Sequence, residues 1–299
     1  MTGAVSPALL DGAGIEMSAL LSMPAHPRVL IVALHGGGMR ASYFDTPESP
    51  DDTEVRSLLR LGSDDGAAVL AVDRPGYGAS AHQVPEGLTE PQQADIMWAA
   101  VDDFVHTRGL STPVVLVGHS TGAKVAAYMA AAPGVRPAAG LHMGGVGWHY
   151  AAAMRDHLLG RSDSPLSREM FWGRDRWYPP NVAETARAVS SSTPRGEWAT
   201  VLQWEDELPR LARRIVIPTQ IVLAEDERVW NLDDAELTSM GQLFAHAESL
   251  TLGIQPGSGH NVSLSHAAAP YHRSVVEFAL RQAVRGSSQA NCPDAASRR

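Results

Sequence analysis

Gly118-His119-Ser120-Thr121-Gly122 has the spacing G-x-S-x-G, in which glycines two residues to either side of a serine let a strand turn sharply into a helix. Such a turn lifts the serine hydroxyl clear of a sheet. It also points the next backbone N–H at the same place, where the helix N-terminus favours negative charge. The chemistry this suits is attack on a carbonyl, with Ser120 as nucleophile. With 27 glycines in the chain the pattern alone arises readily by chance. Its context carries the weight: VVLV before it and AKVAAYMAAA after it are the strand and helix that the turn requires.

Three more groups complete the chemistry. His35-Gly36-Gly37-Gly38 follows the apolar run RVLIVAL, and glycines there let backbone amides approach an oxyanion. Gly37 or Gly38 is therefore expected to donate alongside the Thr121 N–H, with His35 a structural hydrogen-bonding residue. Of twelve histidines, His260 alone combines a late loop position, flanking glycines (Gly257-Ser258-Gly259-His260-Asn261) and a following apolar helix. It is the candidate general base. Glu225-Asp226-Glu227 stand in a row beyond one strand, and a short loop can turn only one of them toward an imidazole; the residues themselves leave open which. Water activated by the same histidine would release an acid from an acyl-serine, which is ester or thioester hydrolysis. Without water as acceptor, the same array would serve acyl transfer or elimination of an acyloxy group, as in bacterial natural-product tailoring.

The elements that must hold these groups are legible as alternating apolar runs and helical patterns. Strands are expected at Met17 to Met23, Arg28 to Leu34, Ala67 to Val72, Val114 to Val117, Ala138 to Met143, Ile217 to Leu223 and Ser249 to Ile254. A helix is expected from Pro91 to His106. This alternation predicts an α/β fold, a mostly parallel central sheet flanked by helices. Residues 148–214 break the pattern with prolines, short helical pieces and Trp148, Trp172, Trp177, Trp198 and Trp204. They read as a helical cap inserted into a core of residues 1–147 and 215–285. Trp148, Met154, Trp172 and Trp177 are its candidate substrate contacts, and with Met170 and Phe171 they point to a fairly apolar small molecule. Residues 286–299 read as a disordered tail.

In the order Ser120, acid, His260, the chain from about Met17 to Arg285 resembles the α/β-hydrolase superfamily, and in particular its cap-bearing esterases and thioesterases. The stretch DRPGYGAS, residues 73 to 80, looks like the family's loop after its fourth strand. The family commonly reads IPT, a strand, then glycine, two residues and aspartate. On this chain Ala224 replaces the glycine and the aspartate position falls on Glu227. The resemblance therefore implies Glu227 as the acid, with Asp226 the alternative.

Composition narrows the partners. A net charge of −9 disfavours nucleic acid and anionic membranes, so a small ester, thioester or acylated molecule is the expected partner; a homodimer is compatible with the same features. One cysteine, Cys292, excludes an internal disulfide framework. His35, His119 and His142 lack metal-ligand spacing, so no metal and no cofactor are expected. Lys124 is the only lysine, a bias of the kind a GC-rich genome produces. No apolar run is long enough to span a bilayer and the start lacks a basic region before an apolar one, so a cytoplasmic location is expected.

Overall fold

A computed structural model describes residues 4–46, 55–132, 137–161 and 168–290. These form an eight-stranded sheet of β1 (Ser6–Gly12), β2 (Ile15–Ser22), β3 (Val29–Leu34), β4 (Ala67–Val72), β5 (Val114–His119), β6 (Gly140–Gly144), β7 (Thr219–Asp226) and β8 (Leu250–Gly259), in the spatial order β1-β2-β4-β3-β5-β6-β7-β8. β1 and β2 are antiparallel to their neighbours, and every pair from β4 to β8 is parallel. The helices are α1 (Leu58–Asp64), α2 (Glu90–Thr107), α3 (Thr121–Ala131), α4 (Ala152–Leu158), α5 (Arg168–Trp172), α6 (Val182–Val189), α7 (Arg195–Ala199), α8 (Trp204–Ala212), α9 (Asp234–Leu243) and α10 (Ala268–Ala290).

The unbroken apolar runs became the middle of the sheet because strands covered on both faces need apolar side chains on both. Every residue of β3, β4, β5 and β6 is buried. Alternate residues of β3 serve opposite cores. Leu30, Val32 and Leu34 pack with Trp98, Val101 and Phe104 of α2 and with α3, while Val29, Ile31 and Ala33 pack with Leu58 and Leu59 of α1 and Val275, Val276 and Ala279 of α10. The glycine loop after β3 and the Ser120 turn after β5 are thus mounted on fully buried strands.

Between the adjacent strands β6 and β7 the chain leaves the sheet through α4 to α8, all short helices, and returns. Their brevity follows from their sequence: Pro179, Pro180 and Pro194 interrupt helical spacing before a long amphipathic stripe can form.

Two expectations needed correction. The first strand was not foreseen: β1 and β2 form a hairpin through Ala13 and Gly14, both with positive φ (54° and 86°). That turn conformation favours Asn or Asp followed by Gly, and alanine there disguises it. At the other end α10 reaches Ala290, so residues 286–290 of the expected disordered tail are helical. A helix anchored by Val275, Val276, Phe278 and Ala279 in the core propagates at the gain of one hydrogen bond per added residue. The rest of that tail, Cys292 included, lies outside the described residues. Among the described residues no helix is long and apolar enough to cross a membrane.

Candidate active site

Ser120 sits between β5 and α3 with φ 52° and ψ −120°; among the described residues only Ala13 shares a positive φ without being glycine. The flanking glycines make this backbone possible. A Cβ at Gly118 would lie 2.3 Å from the Ala123 Cα, and one at Gly122 would lie 2.1 Å from the Leu34 carbonyl oxygen, distances no side chain tolerates. With the Ser120 N–H donating to the Gly144 carbonyl at 2.8 Å, the turn is held from the neighbouring strand end. Strain of this kind amounts to about 1–3 kcal/mol and survives only where the surroundings enforce it.

His260 follows β8. Its Nε2 is 3.1 Å from Ser120 Oγ, and its Nδ1 is 2.9 and 3.0 Å from the two carboxylate oxygens of Glu227. An ionised carboxylate can only accept, so Nδ1 carries the proton and Nε2 is left to accept from the serine hydroxyl. Glu227 also accepts the Val229 N–H at 3.0 Å. Both the histidine and the glutamate are buried, which strengthens their interaction and fixes the ring.

Asp226, the alternative acid, is turned away: its carboxylate accepts from Arg228 at 3.0 Å and lies 3.7 Å from Arg174. Glu225 accepts the Gly257 N–H at 2.7 Å. The register between β7 and β8 shifts between Ala224 and Asp226, with Asp226 pairing Gly259 after Ala224 pairs Gln255. An irregularity of this kind breaks strict alternation. That is why counting along the strand leaves three carboxylates equivalent.

The glycine loop also divides. Gly37 and Thr121 line the cavity beside Ser120, and their N–H groups have no acceptor among the described residues. The Gly38 N–H instead donates to Tyr77 Oη at 3.2 Å, so Gly38 is withdrawn from the oxyanion position expected for it. His35 behaves as a structural residue. The Arg74 N–H donates to its Nε2 at 3.1 Å, which leaves Nδ1 to donate to the Gly36 carbonyl at 2.8 Å. Burial and the Arg74 charge hold this ring neutral, its pKa well below the usual value.

The cavity has a volume of about 350 Å³. Of the four expected substrate contacts, Met154 and Trp172 line it, joined by Phe171, Trp198 and Val201 from the inserted segment. Trp148 and Trp177 do not. The Trp148 indole donates to the Glu205 carbonyl at 2.8 Å and packs on His149. Trp177 lies against Gly257, with Arg176 over its ring. Each of these rings meets a local partner that turns it from the cavity, which no sequence pattern announces.

Two buried groups were missed. Glu197 of α7 accepts from Arg74, from Gln93 at 3.0 Å and from Tyr77 at 2.9 Å, so the inserted segment is clamped to the loop after β4 that also fixes His35. Lys124 lines the cavity one helical turn after Ser120. A lone lysine inside an apolar helix was the signal that could have found it. His119 stacks on Tyr43 and His142 bridges Gln220 and Tyr271. Among the described residues no group of three or more His, Cys, Asp or Glu could hold a metal ion.

The sequence model of the alpha/beta hydrolase family matches residues 31–273. A search of curated protein sequences gives no match. Solved structures with the same fold include a thermostable carboxyl esterase from Bacillus coagulans, 14% identical over 96% of this chain and 99% of that one with a TM-score of 0.69. A serine hydrolase involved in carbazole degradation is 16% identical over 92% and 98%, TM-score 0.62. The thioesterase domain from the curacin biosynthetic pathway is 16% identical over 92% and 99%, TM-score 0.59. With its sequence matched over most of its length and the sheet order above, the chain belongs to the alpha/beta hydrolase family.

Proposed function

We propose that this protein is a serine hydrolase that cleaves a carboxylic ester or thioester of a fairly apolar small molecule through an acyl-serine intermediate. The observation that carries the reading is the continuous hydrogen-bond chain from Ser120 through His260 to Glu227, opening on a cavity where two amides beside the serine have no acceptor among the described residues.

His260 takes the Ser120 proton as Oγ attacks the carbonyl carbon, and Glu227 stabilises the imidazolium that forms. The Gly37 and Thr121 N–H groups receive the oxyanion, each donor lowering the barrier by about 3 kcal/mol. Collapse of the tetrahedral species expels the alcohol or thiol, which takes its proton from His260. Water, deprotonated by the same imidazole, then attacks the acyl-serine and releases the acid. The helices α4 to α8 serve as a cap in this reading, with Met154, Phe171 and Trp172 forming an apolar wall for the substrate.

Turnover of an ester panel in ¹⁸O-water tests it. Hydrolysis through acyl-serine puts one ¹⁸O into the released acid and leaves the alcohol unlabelled. An alkene with an unlabelled acid would replace hydrolysis by elimination, and an acylated acceptor in place of free acid would replace it by transfer.

A further inference from the structure

Lys124 follows Ser120 by one turn of α3, its N–H donating to the Ser120 carbonyl at 3.3 Å. Its side chain is buried, 3% exposed. The ammonium lies 5.2, 5.4 and 5.5 Å from the ring centroids of Tyr150, Trp204 and Trp230. Nζ donates to Tyr150 Oη at 2.6 Å, and Tyr150 gives its own proton to the Val201 carbonyl at 3.0 Å. One of three ammonium N–H donors is thereby satisfied.

The carboxylates nearest in charge are engaged elsewhere. Glu197 pairs with Arg74, Glu205 with Arg155, and Glu90 accepts from Thr200; none forms an ion pair with Lys124 among the described residues. Arg74, equally buried, has a matched carboxylate. Lys124 has an aromatic cage and a face on the cavity shared with Tyr150 and Trp230. Leaving a cation in that state is unfavourable unless something pairs with it. Burial accordingly pushes its pKa down to about 8, against the opposing pull of Glu90, Glu197 and Glu205.

We propose that Lys124, supported by Tyr150, is a subsite for a carboxylate borne on the substrate, one helical turn from the carbonyl that Ser120 attacks. The inference rests on the hydrolase reading and narrows it to esters or thioesters that carry a free acid. An acid-side carboxylate is probed by monoethyl adipate against ethyl hexanoate, and an alcohol-side one by 4-acetoxybutyrate against butyl acetate.

The native chain should favour one carboxylate-bearing ester over its neutral match, and Lys124→Met should reduce that ratio of kcat/KM at least tenfold. The native preference should fade as pH rises through about 8, where the ammonium loses its proton. Lys124→Met should also raise Tm, because an incompletely paired buried cation is replaced by an apolar side chain of similar length. An unchanged ratio, or a lower Tm, would reduce Lys124 to a packing residue and overturn the proposal.

Adipate binding to the Ser120→Ala chain, followed by tryptophan fluorescence, needs no turnover and should weaken at least tenfold when Lys124→Met is added. Lys124-dependent binding without cleavage of any ester would sustain the subsite and defeat the hydrolase reading. Cleavage without carboxylate preference would do the reverse.

Discussion

The cavity has two walls built on different principles. One stands on the sheet: Ser120, Gly37 and His260 follow the C-terminal ends of β5, β3 and β8, Ser120 held by its turn geometry and His260 by its hydrogen bond to buried Glu227. The other wall, Met154, Phe171, Trp172, Trp198 and Val201, comes from short helices between β6 and β7. Its link to the sheet side includes one buried glutamate, Glu197, on Arg74, Tyr77 and Gln93. Under the proposed function, chemistry that tolerates no displacement would sit on the sheet wall, and contacts that vary with the substrate on the other.

If the walls divide the labour this way, Glu227→Gln should damage turnover most. The amide can no longer hold His260 in the required tautomer, and kcat should fall by about 10⁴-fold, read in steady-state kinetics. Asp226→Asn, one residue away but facing Arg228 and Arg174, should change activity by less than about threefold, as expected for an outward ion pair. Equal losses in the two variants would erase the distinction between them.

Glu197→Ala attacks the link between the walls. It leaves Arg74 buried and unpaired, which destabilises by about 3–5 kcal/mol in urea titration. Backbone amides of α7 should exchange hydrogen faster than those of β3 and β5 in the same sample. Uniform acceleration across the molecule would show that the inserted segment and sheet open as one unit.

Acid should weaken the sheet side through its buried imidazoles. Burial holds His35 and His119 neutral, well below their usual pKa, and brings His142 and His272 down to about 4. An unfolded chain binds protons at these sites near pH 6.5, before the folded chain does, so folding stability is complete above that pH and declines as pH falls toward 4. The slope is on the order of 1.4 kcal/mol per pH unit for each histidine that titrates only on unfolding. Urea midpoints measured from pH 7 to 4.5 check this, and a flat profile would contradict it.

The sheet wall was far more legible in the sequence than the inserted one. G-x-S-x-G and the glycine loop are local backbone requirements, so Ser120, Thr121 and the pair Gly37 and Gly38 could be named from spacing. Gly38 could not be separated from Gly37, because its amide is claimed by Tyr77, a residue 39 positions away. The acid depended on a register irregularity opposite Gln255 and Gly259, which a strand pattern does not encode. Tryptophans marked the inserted segment as apolar, but each ring's direction is set by partners such as the Glu205 carbonyl and Arg176. Only Trp172 and Met154 of the four expected contacts reach the cavity. Lys124 and Glu197 were hidden for the same reason, since their importance lies in burial and in what does or does not pair with them.

The central claim is that Ser120 is an activated nucleophile, and intact-mass spectrometry after exposure to a small fluorophosphonate tests it most directly. The native chain should gain one adduct and the Ser120→Ala chain none. A folded native chain that stays unlabelled, or an adduct that persists in Ser120→Ala, would contradict the account.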